Sequence, residues 1–296
     1  MHIGLGLRIP QRRLCVPAAS FEGILDQLAT APVGAWSVAR RLTADYEGSL
    51  IRLRRASDNA ESDFGYDGDG VLDTAAIASW IGGSSGRTVT IYDQIGTDHL
   101  TMATAGTQPG YDADEIGGKP CADFSATGRA LIAGGAVAAA FSGNDTYRVY
   151  AGVCRIKSGA GSSTFMGTTN ADGSKVYNPM QDVSNNGTIY ANFDGLFNLA
   201  GPYESFNATP KNVCLFSAYG ADKINLWWGS TKKLDDQTLA GGACTFTTVA
   251  IGCWWANGGI NNSGSCWWSE LIAFAADARA DQAAYAADVA SFYGVA

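Results

Sequence analysis

Apolar and polar positions change period along the chain, and each change marks a predicted element. Phe21, Ile24, Leu25 and Leu28 follow the i, i+3, i+4, i+7 spacing of one helix face. Ser20 is a candidate N-cap for a helical segment within residues 20–46, and Pro32 and Gly34 end it. The period then shortens to two. Ile51 and Leu53 alternate with Arg52 and Arg54, which predicts a strand over 48–55 closed by a turn at Ser57-Asp58-Asn59. Residues 73–81 read as a short helix that starts at an Asp73 cap and closes at Gly82-Gly83. A β-branched strand from Thr88 to Tyr92 delivers Asp93 and Gln94 at its end.

From residue 120 the chain reads as strand after strand. Candidates are 120–124, 129–133, 146–157, 163–167, 188–194, 213–218, 222–228, 244–254 and 266–275. Turn signals separate them, among them Asp172-Gly173, Gly220-Ala221-Asp222 and Asn257-Gly258-Gly259. An Ala-rich helix from Asp277 to Tyr293 ends the pattern. This rhythm predicts a mainly β protein, an antiparallel β-sandwich with a few short helices. The expected division is an N-terminal arm and short helix over 1–34, followed by the sandwich over 35–296.

Composition narrows the chemistry. The chain has 296 residues, 37 of them Gly and only 8 Pro, and the net charge is −8. That balance argues against nucleic acid as a general partner, because such binding needs a basic footprint. No apolar run reaches the ~18 residues of a membrane span, so no membrane insertion is expected. The opening MHIGLGLRIPQRRLC carries its basic residues after its apolar stretch, the wrong order for a signal peptide. Arg8, Arg12 and Arg13 make residues 1–20 a basic segment in an acidic protein, suited to docking on an acidic partner surface. Seven cysteines without a CxxC pair, and only His2 and His99, give no metal-type spacing. Neither a metal nor a cofactor is expected, and the thiols read as small buried hydrophobes. Cys253 and Cys266 are placed to approach each other across a hairpin. Asp67-Gly68-Asp69-Gly70 resembles a fragment of a cation loop but lacks the closing Glu.

Three tryptophan pairs, Trp227-Trp228, Trp254-Trp255 and Trp267-Trp268, fall on predicted strands. Neighbours on a strand face opposite ways, so one of each pair should be core while the other faces out or lines a groove. Exposed aromatics among Asn and Gly stack sugars. The candidate carbohydrate-binding residues are Trp254, Trp255, Asn257, Asn261, Asn262 and Asn170.

Residues 54–58 (RRASD), Ile91-Tyr92-Asp93-Gln94 and His99-Leu100-Thr101 resemble the catalytic domain of α-L-arabinofuranosidase B, over roughly residues 35–294. The resemblance implies a concanavalin-like sandwich, or jelly roll. The same pattern also resembles domains of bacteriophage and prophage particle proteins, where a short arm with a GLGL-like start precedes the sandwich. A retaining glycosidase needs two carboxylates about 5–5.5 Å apart. The family places its nucleophilic Glu in a Gly-led motif, and Asn170 stands at the matching position here. No Glu occurs between Glu115 and Glu204. The family's acid is an Asp in a Gly-rich loop near the end. Here no Asp occurs between Asp236 and Asp277, and Glu270 is assigned a structural hydrogen bond or ion pair.

The resulting expectation is a non-catalytic appendage of a virion or phage-like particle. Residues 1–20 would attach it to other particle proteins, and the sandwich, as a homo-oligomer on the particle surface, would bind host-surface glycan. The alternatives are an active arabinofuranosidase-type hydrolase, for example one pairing Asp93 or Asp98 with Asp172 or Asp194, and a purely structural subunit. With the catalytic carboxylates missing, Arg54, Arg55, Asp58, Asp93 and Gln94 read as a buried polar lock that fixes long loops onto the sandwich.

Overall fold

The computed structural model describes residues 21–143, 146–156, 163–182, 188–193, 199–205, 210–238, 243–261 and 263–295. The strands in chain order are β1 (Gly34–Ser37), β2 (Ile51–Arg55), β3 (Glu61–Phe64), β4 (Gly86–Ile91), β5 (Leu100–Thr101), β6 (Gly110–Ile116), β7 (Lys119–Asp123), β8 (Leu131–Ala133), β9 (Arg148–Ile156) and β10 (Ser163–Thr169). They continue with β11 (Val176–Asp182), β12 (Thr188–Phe193), β13 (Leu199–Ser205), β14 (Lys211–Gly220), β15 (Lys223–Trp228), β16 (Thr231–Thr238), β17 (Thr248–Ile251), β18 (Trp254–Ala256), β19 (Gly259–Asn261) and β20 (Cys266–Phe274). The α-helices are α1 (Thr74–Ile81), α2 (Ala136–Ala140) and α3 (Gln282–Tyr293).

The named strands pair antiparallel in two layers. In one, β1 and β7 share an edge of β20, and β9, β14, β15 and β16 follow. The other runs β3, β2, β4, β5, β8, β17, β10, β11, β12, β13. Strand β6 pairs with β7 and touches β4 at Gly110, which joins the layers. This is the antiparallel sandwich with short helices that the pattern predicts.

Two apolar clusters explain the sequence of the first layer. Tyr150, Cys154, Leu215 and Trp268 face Leu53, Ile91, Phe165 and Ile251 between the sheets. Val149, Ala151, Phe216 and Ile272 face the opposite way, onto Tyr285, Val289 and Tyr293 of α3. Strand β9 is therefore covered on both sides and reads RVYAGVCRI, a near-continuous apolar run rather than an alternating one. Cys121, Cys154, Cys214, Cys244, Cys253 and Cys266 are buried, and Cys253 and Cys266 are not bonded to each other.

The predicted α1 start and stop are present. The Asp73 Oδ1 accepts from the Ala76 N–H at 2.9 Å, and Gly82 closes the helix at φ 57°. The N-terminal helix is a correction. Only Ile24–Asp26 makes a turn, and it is 3-10. Carboxylates take the amides that a longer helix would need. Asp26 accepts from the Gly23 and Ala44 N–H groups, each at 2.8 Å. Asp281 accepts from Ala29 at 2.8 Å and Thr30 at 3.0 Å. Ile24 is still buried, beneath α3 rather than along a helix face.

Beside Ile24 lies a buried ion network. Arg40 grips Glu270 of β20 with Nε at 2.8 Å and Nη2 at 3.2 Å, and also meets Asp288 of α3. The hydroxyls of Tyr285 and Tyr293 donate to the same carboxylate at 3.1 and 3.2 Å. Burial alone lowers the Arg40 pKa, but the Glu270 charge and hydrogen bonds outweigh it and hold the guanidinium well above its ordinary value. Glu270 thus has the structural role assigned from sequence. Removing one partner of such a pair strands a buried charge. Arg40→Met is expected to cost about 3–5 kcal/mol in urea unfolding, and a loss below about 1 kcal/mol would show that the pair is dispensable.

Candidate functional site

Strand β10 ends at Thr169, and the chain turns through Asn170–Lys175 into β11, whose first residue pairs back with Thr169. The β18–β19 hairpin packs against this turn. Its two-residue loop, Asn257-Gly258, has φ 52° and 72°, the left-handed pair that a tight hairpin requires and that Asn-Gly supplies. Three bonds join the two features. Thr169 Oγ1 donates to the Trp255 carbonyl at 2.7 Å, the Asn257 N–H to the Ala171 carbonyl at 3.0 Å, and Asn257 Nδ2 to the Asp172 carbonyl at 3.4 Å.

The structure therefore brings together Asn170, Trp255 and Asn257. Asn261 lies at the base of the hairpin, with Nδ2 donating to the Ala256 and Gly259 carbonyls. Asn170 is committed to its own turn. Its Oδ1 accepts from the Lys175 N–H at 2.9 Å and its Nδ2 donates to the Ser174 hydroxyl at 3.1 Å. On the other flank of the hairpin, half-buried Trp255 and Ile260 face Met102, Thr104 and Thr107 across a groove of 220 Å³. Asn262, and Arg8, Arg12 and Arg13, lie outside the described residues, as do Asp194 and the side chain of Trp254.

Sequence reasoning gave Asp172 only a passing place. It is exposed on the turn beside Asn257, and its Oδ1 accepts from the Ser174 N–H at 2.9 Å. The Ser174 amide, with the Ser174 hydroxyl, holds the Asp172 pKa below the ordinary carboxylate value. The signal for it was available in Asp172-Gly173, read only as a turn. Among the described residues, no group of three or more His, Cys, Asp or Glu side chains is arranged to hold a metal ion.

The other two tryptophan pairs also alternate between the two faces of their strands. Trp227 and Trp267 pack on the outer cluster, and Trp228 and buried Trp268 on the inter-sheet core. The ammonium groups of Lys232 and Lys233 lie 5.0 and 5.7 Å from the Trp227 and Trp228 rings.

The polar stretch divides in two. Asp93 and Gln94 are buried. Asp93 accepts from the amides of Ala35 (3.0 Å), Ile95 (3.2 Å) and Asp98 (3.3 Å). Gln94 accepts from the Leu42 N–H at 2.7 Å and donates to the Arg40 carbonyl at 3.0 Å. Together they clamp the 35–42 segment. Burial raises the Asp93 pKa, and the backbone donors oppose that rise. Asp98 is likewise committed, accepting from the Val137 N–H at 2.7 Å at the start of α2. Arg54, Arg55 and Asp58 do not belong to a buried lock. Asp58 is exposed and both arginines are half-buried. Arg55 forms a two-pronged pair with Asp58 at 3.0 and 2.7 Å, while Arg54 donates to Gln108 at 2.7 Å. They sit at the end of β2, where long side chains reach the rim. Asp93→Ala would leave three amides without their acceptor and should lower stability by about 2 kcal/mol or more. An unchanged melting temperature with loss of saccharide binding would make Asp93 a ligand contact instead.

Residues 24–150 match the family model "Alpha-L-arabinofuranosidase B, catalytic". No curated protein matches the sequence. Among solved structures, an arabinofuranosidase complexed with arabinofuranosyl-α-1,2-xylobiose superposes with a TM-score of 0.64 at 18% identity. A mutant of a GH54 α-L-arabinofuranosidase soaked with 4-nitrophenyl α-L-arabinofuranoside gives 0.67 at 18%. A GH54 enzyme soaked with a cyclic sulfate inhibitor gives 0.66 at 17%. Each alignment covers 92% of this chain but 65% of the other, so the chain spans just under two thirds of those proteins. Nothing in these comparisons points to a particle context. The expectation of a non-catalytic virion appendage is overturned: the family model matched over residues 24–150 is that of an arabinofuranosidase catalytic domain, and the arabinofuranosidase structures share the fold.

Proposed function

We propose that the chain is an arabinofuranosidase-type glycoside hydrolase domain that acts on arabinofuranosyl-bearing saccharides at the β18–β19 hairpin. The observation that carries this reading is the family match over residues 24–150 combined with the fold likeness over 92% of the chain. The hairpin supplies suitable chemistry. Trp255 offers an apolar wall for a sugar ring, and Asn257 is exposed beside it.

Hydrolysis requires a group that can attack the anomeric carbon or activate water, and an amide at position 170 does neither. Asp172 is an exposed carboxylate on the Asn170–Lys175 turn, which is bonded to the flank of the hairpin opposite the Trp255 groove, and the Ser174 donors favour its charged form. A base or nucleophile needs that state. Asp93 and Asp98 are taken up by backbone amides, which removes them from the pairings considered from sequence. Asp194, which directly follows Phe193 of β12 in the chain, is the second carboxylate to test.

The purified protein should release 4-nitrophenol from 4-nitrophenyl α-L-arabinofuranoside. Asp172→Asn should lower kcat/KM by about 10²–10⁴-fold with folding unchanged, and Asp194→Asn is assayed in parallel. The pKa shift of Asp172 is downward from 3.8, so the ionised form persists below that pH. The acidic limb of the kcat/KM profile should therefore lie below pH 3.8. No wild-type turnover above buffer would defeat the proposal. An Asp172→Asn variant as active as the wild type would remove Asp172 from the mechanism.

A further inference from the structure

The groove beside Trp255 has a cationic end. The loop that precedes β8 is bonded to both of its walls. The Gly128 N–H donates to the Ser263 hydroxyl, just beyond β19, at 3.0 Å, and the Ala130 N–H donates to the Thr107 carbonyl at 3.1 Å. Arg129 lies between these two anchors, so it is held where the Ile260 wall and the Thr107 wall meet.

A second arginine comes to the same place. Arg87 of β4 stands opposite Gly110 of β6, and its charge acts on Arg129. On its other side Arg87 stands opposite Arg54 of β2, and like charges placed that way across a strand pair are destabilising. Arg54 is committed to neutral groups beside the groove, with Nε donating to Gln108 at 2.7 Å and Nη2 to the Ala105 carbonyl at 3.2 Å. Arg87 and Arg129 are half-buried, and among the described residues neither has a hydrogen bond or an ion pair. The nearby acid is Asp123, which pairs in register with Gly110 and whose Oδ1 accepts from the Ser125 N–H at 2.7 Å.

Two unopposed guanidinium groups in a protein of net charge −8 run against the rest of the surface. Burial, and after it the Arg87 charge, hold the Arg129 pKa below its ordinary value against the pull of Asp123. An anion set beside both would relieve that repulsion. The planar fork of an arginine matches a carboxylate through two parallel hydrogen bonds. The other end of the groove offers Trp255 as an apolar wall for a ring.

We propose that the Trp255 groove takes a saccharide that carries a uronic acid, with a sugar ring against Trp255 and the carboxylate held by Arg129 and Arg87. The inference rests on the saccharide reading of the hairpin but not on turnover.

Equilibrium binding to the full chain tests it with two acidic probes, trigalacturonate and a xylotriose bearing a glucuronic acid branch, each compared with its methyl ester. Methylation removes the charge and keeps the sugar. At least one acid should bind about tenfold more tightly than its ester at low salt, and most of that advantage should vanish at about 1 M salt. Which acid shows it separates a galacturonate chain from a glucuronate branch as the ligand. Arg129→Gln should bring the affinity for the acid down to that for its ester with the melting temperature unchanged, and Arg87→Gln should lower it about threefold. Arg129→Lys should keep part of the preference, since it retains the charge and loses the fork. Equal affinity for acid and ester in both pairs, or a preference that survives Arg129→Gln, would overturn the proposal. Neither probe carries an arabinofuranosyl group. A protein that hydrolyses 4-nitrophenyl α-L-arabinofuranoside yet ignores the carboxylate loses only this inference, and one that selects the acids without turnover loses only the hydrolase reading.

Discussion

The contact between Arg40 and Glu270 holds together parts of the chain that nothing local would join. Arg40 belongs to the segment leaving β1, Glu270 to β20, which lies between β1 and β9, and Asp288 to the final helix. Breaking the pair would leave a carboxylate buried against two tyrosines, so its removal costs more than its presence gains. Gln94 adds to the same junction by accepting from Leu42 and donating to the Arg40 carbonyl. Asp93 fixes β1 itself through Ala35. The polar stretch after β4 therefore serves the edge of β20, and its buried carboxylate is already occupied by backbone amides.

Much of the sandwich was readable from residue pattern. Strands such as β9, β14 and β20 announce themselves because both of their faces are covered. Strands β3, β5, β6, β11, β13, β16 and β19 were not predicted. In β16, TKKLDDQT, only Leu234 is buried, so an edge strand of this kind has no apolar period to detect. The helix expected after Ser20 failed for a different reason. Its spacing was correct, but Asp281, more than two hundred residues away, captures the amides of Ala29 and Thr30. A long-range acceptor of that kind leaves no mark on the local pattern.

The candidate site was partly legible. Asn170 and Asn257 were both candidates for carbohydrate binding, and the turns that carry them are hydrogen-bonded to each other. The contribution of Asp172 was hidden because an Asp-Gly step reads first as turn chemistry. The two-sided logic of the tryptophan pairs held for Trp227-Trp228 and Trp267-Trp268, yet alternation alone says nothing about whether the outer face is open. At Trp267 the outer cluster beneath α3 occupies that face, whereas at Trp255 a short hairpin leaves the ring beside a groove.

The double coverage of β9 also bears on how the chain is made. Val149 of β9 pairs with Phe274 of β20, so the middle strand of the inner layer borders a strand synthesised over a hundred residues later. Until that strand and α3 emerge, an almost wholly apolar segment has neither its neighbour nor its cover. Pairings this distant in sequence slow folding and leave apolar surface available to other chains meanwhile.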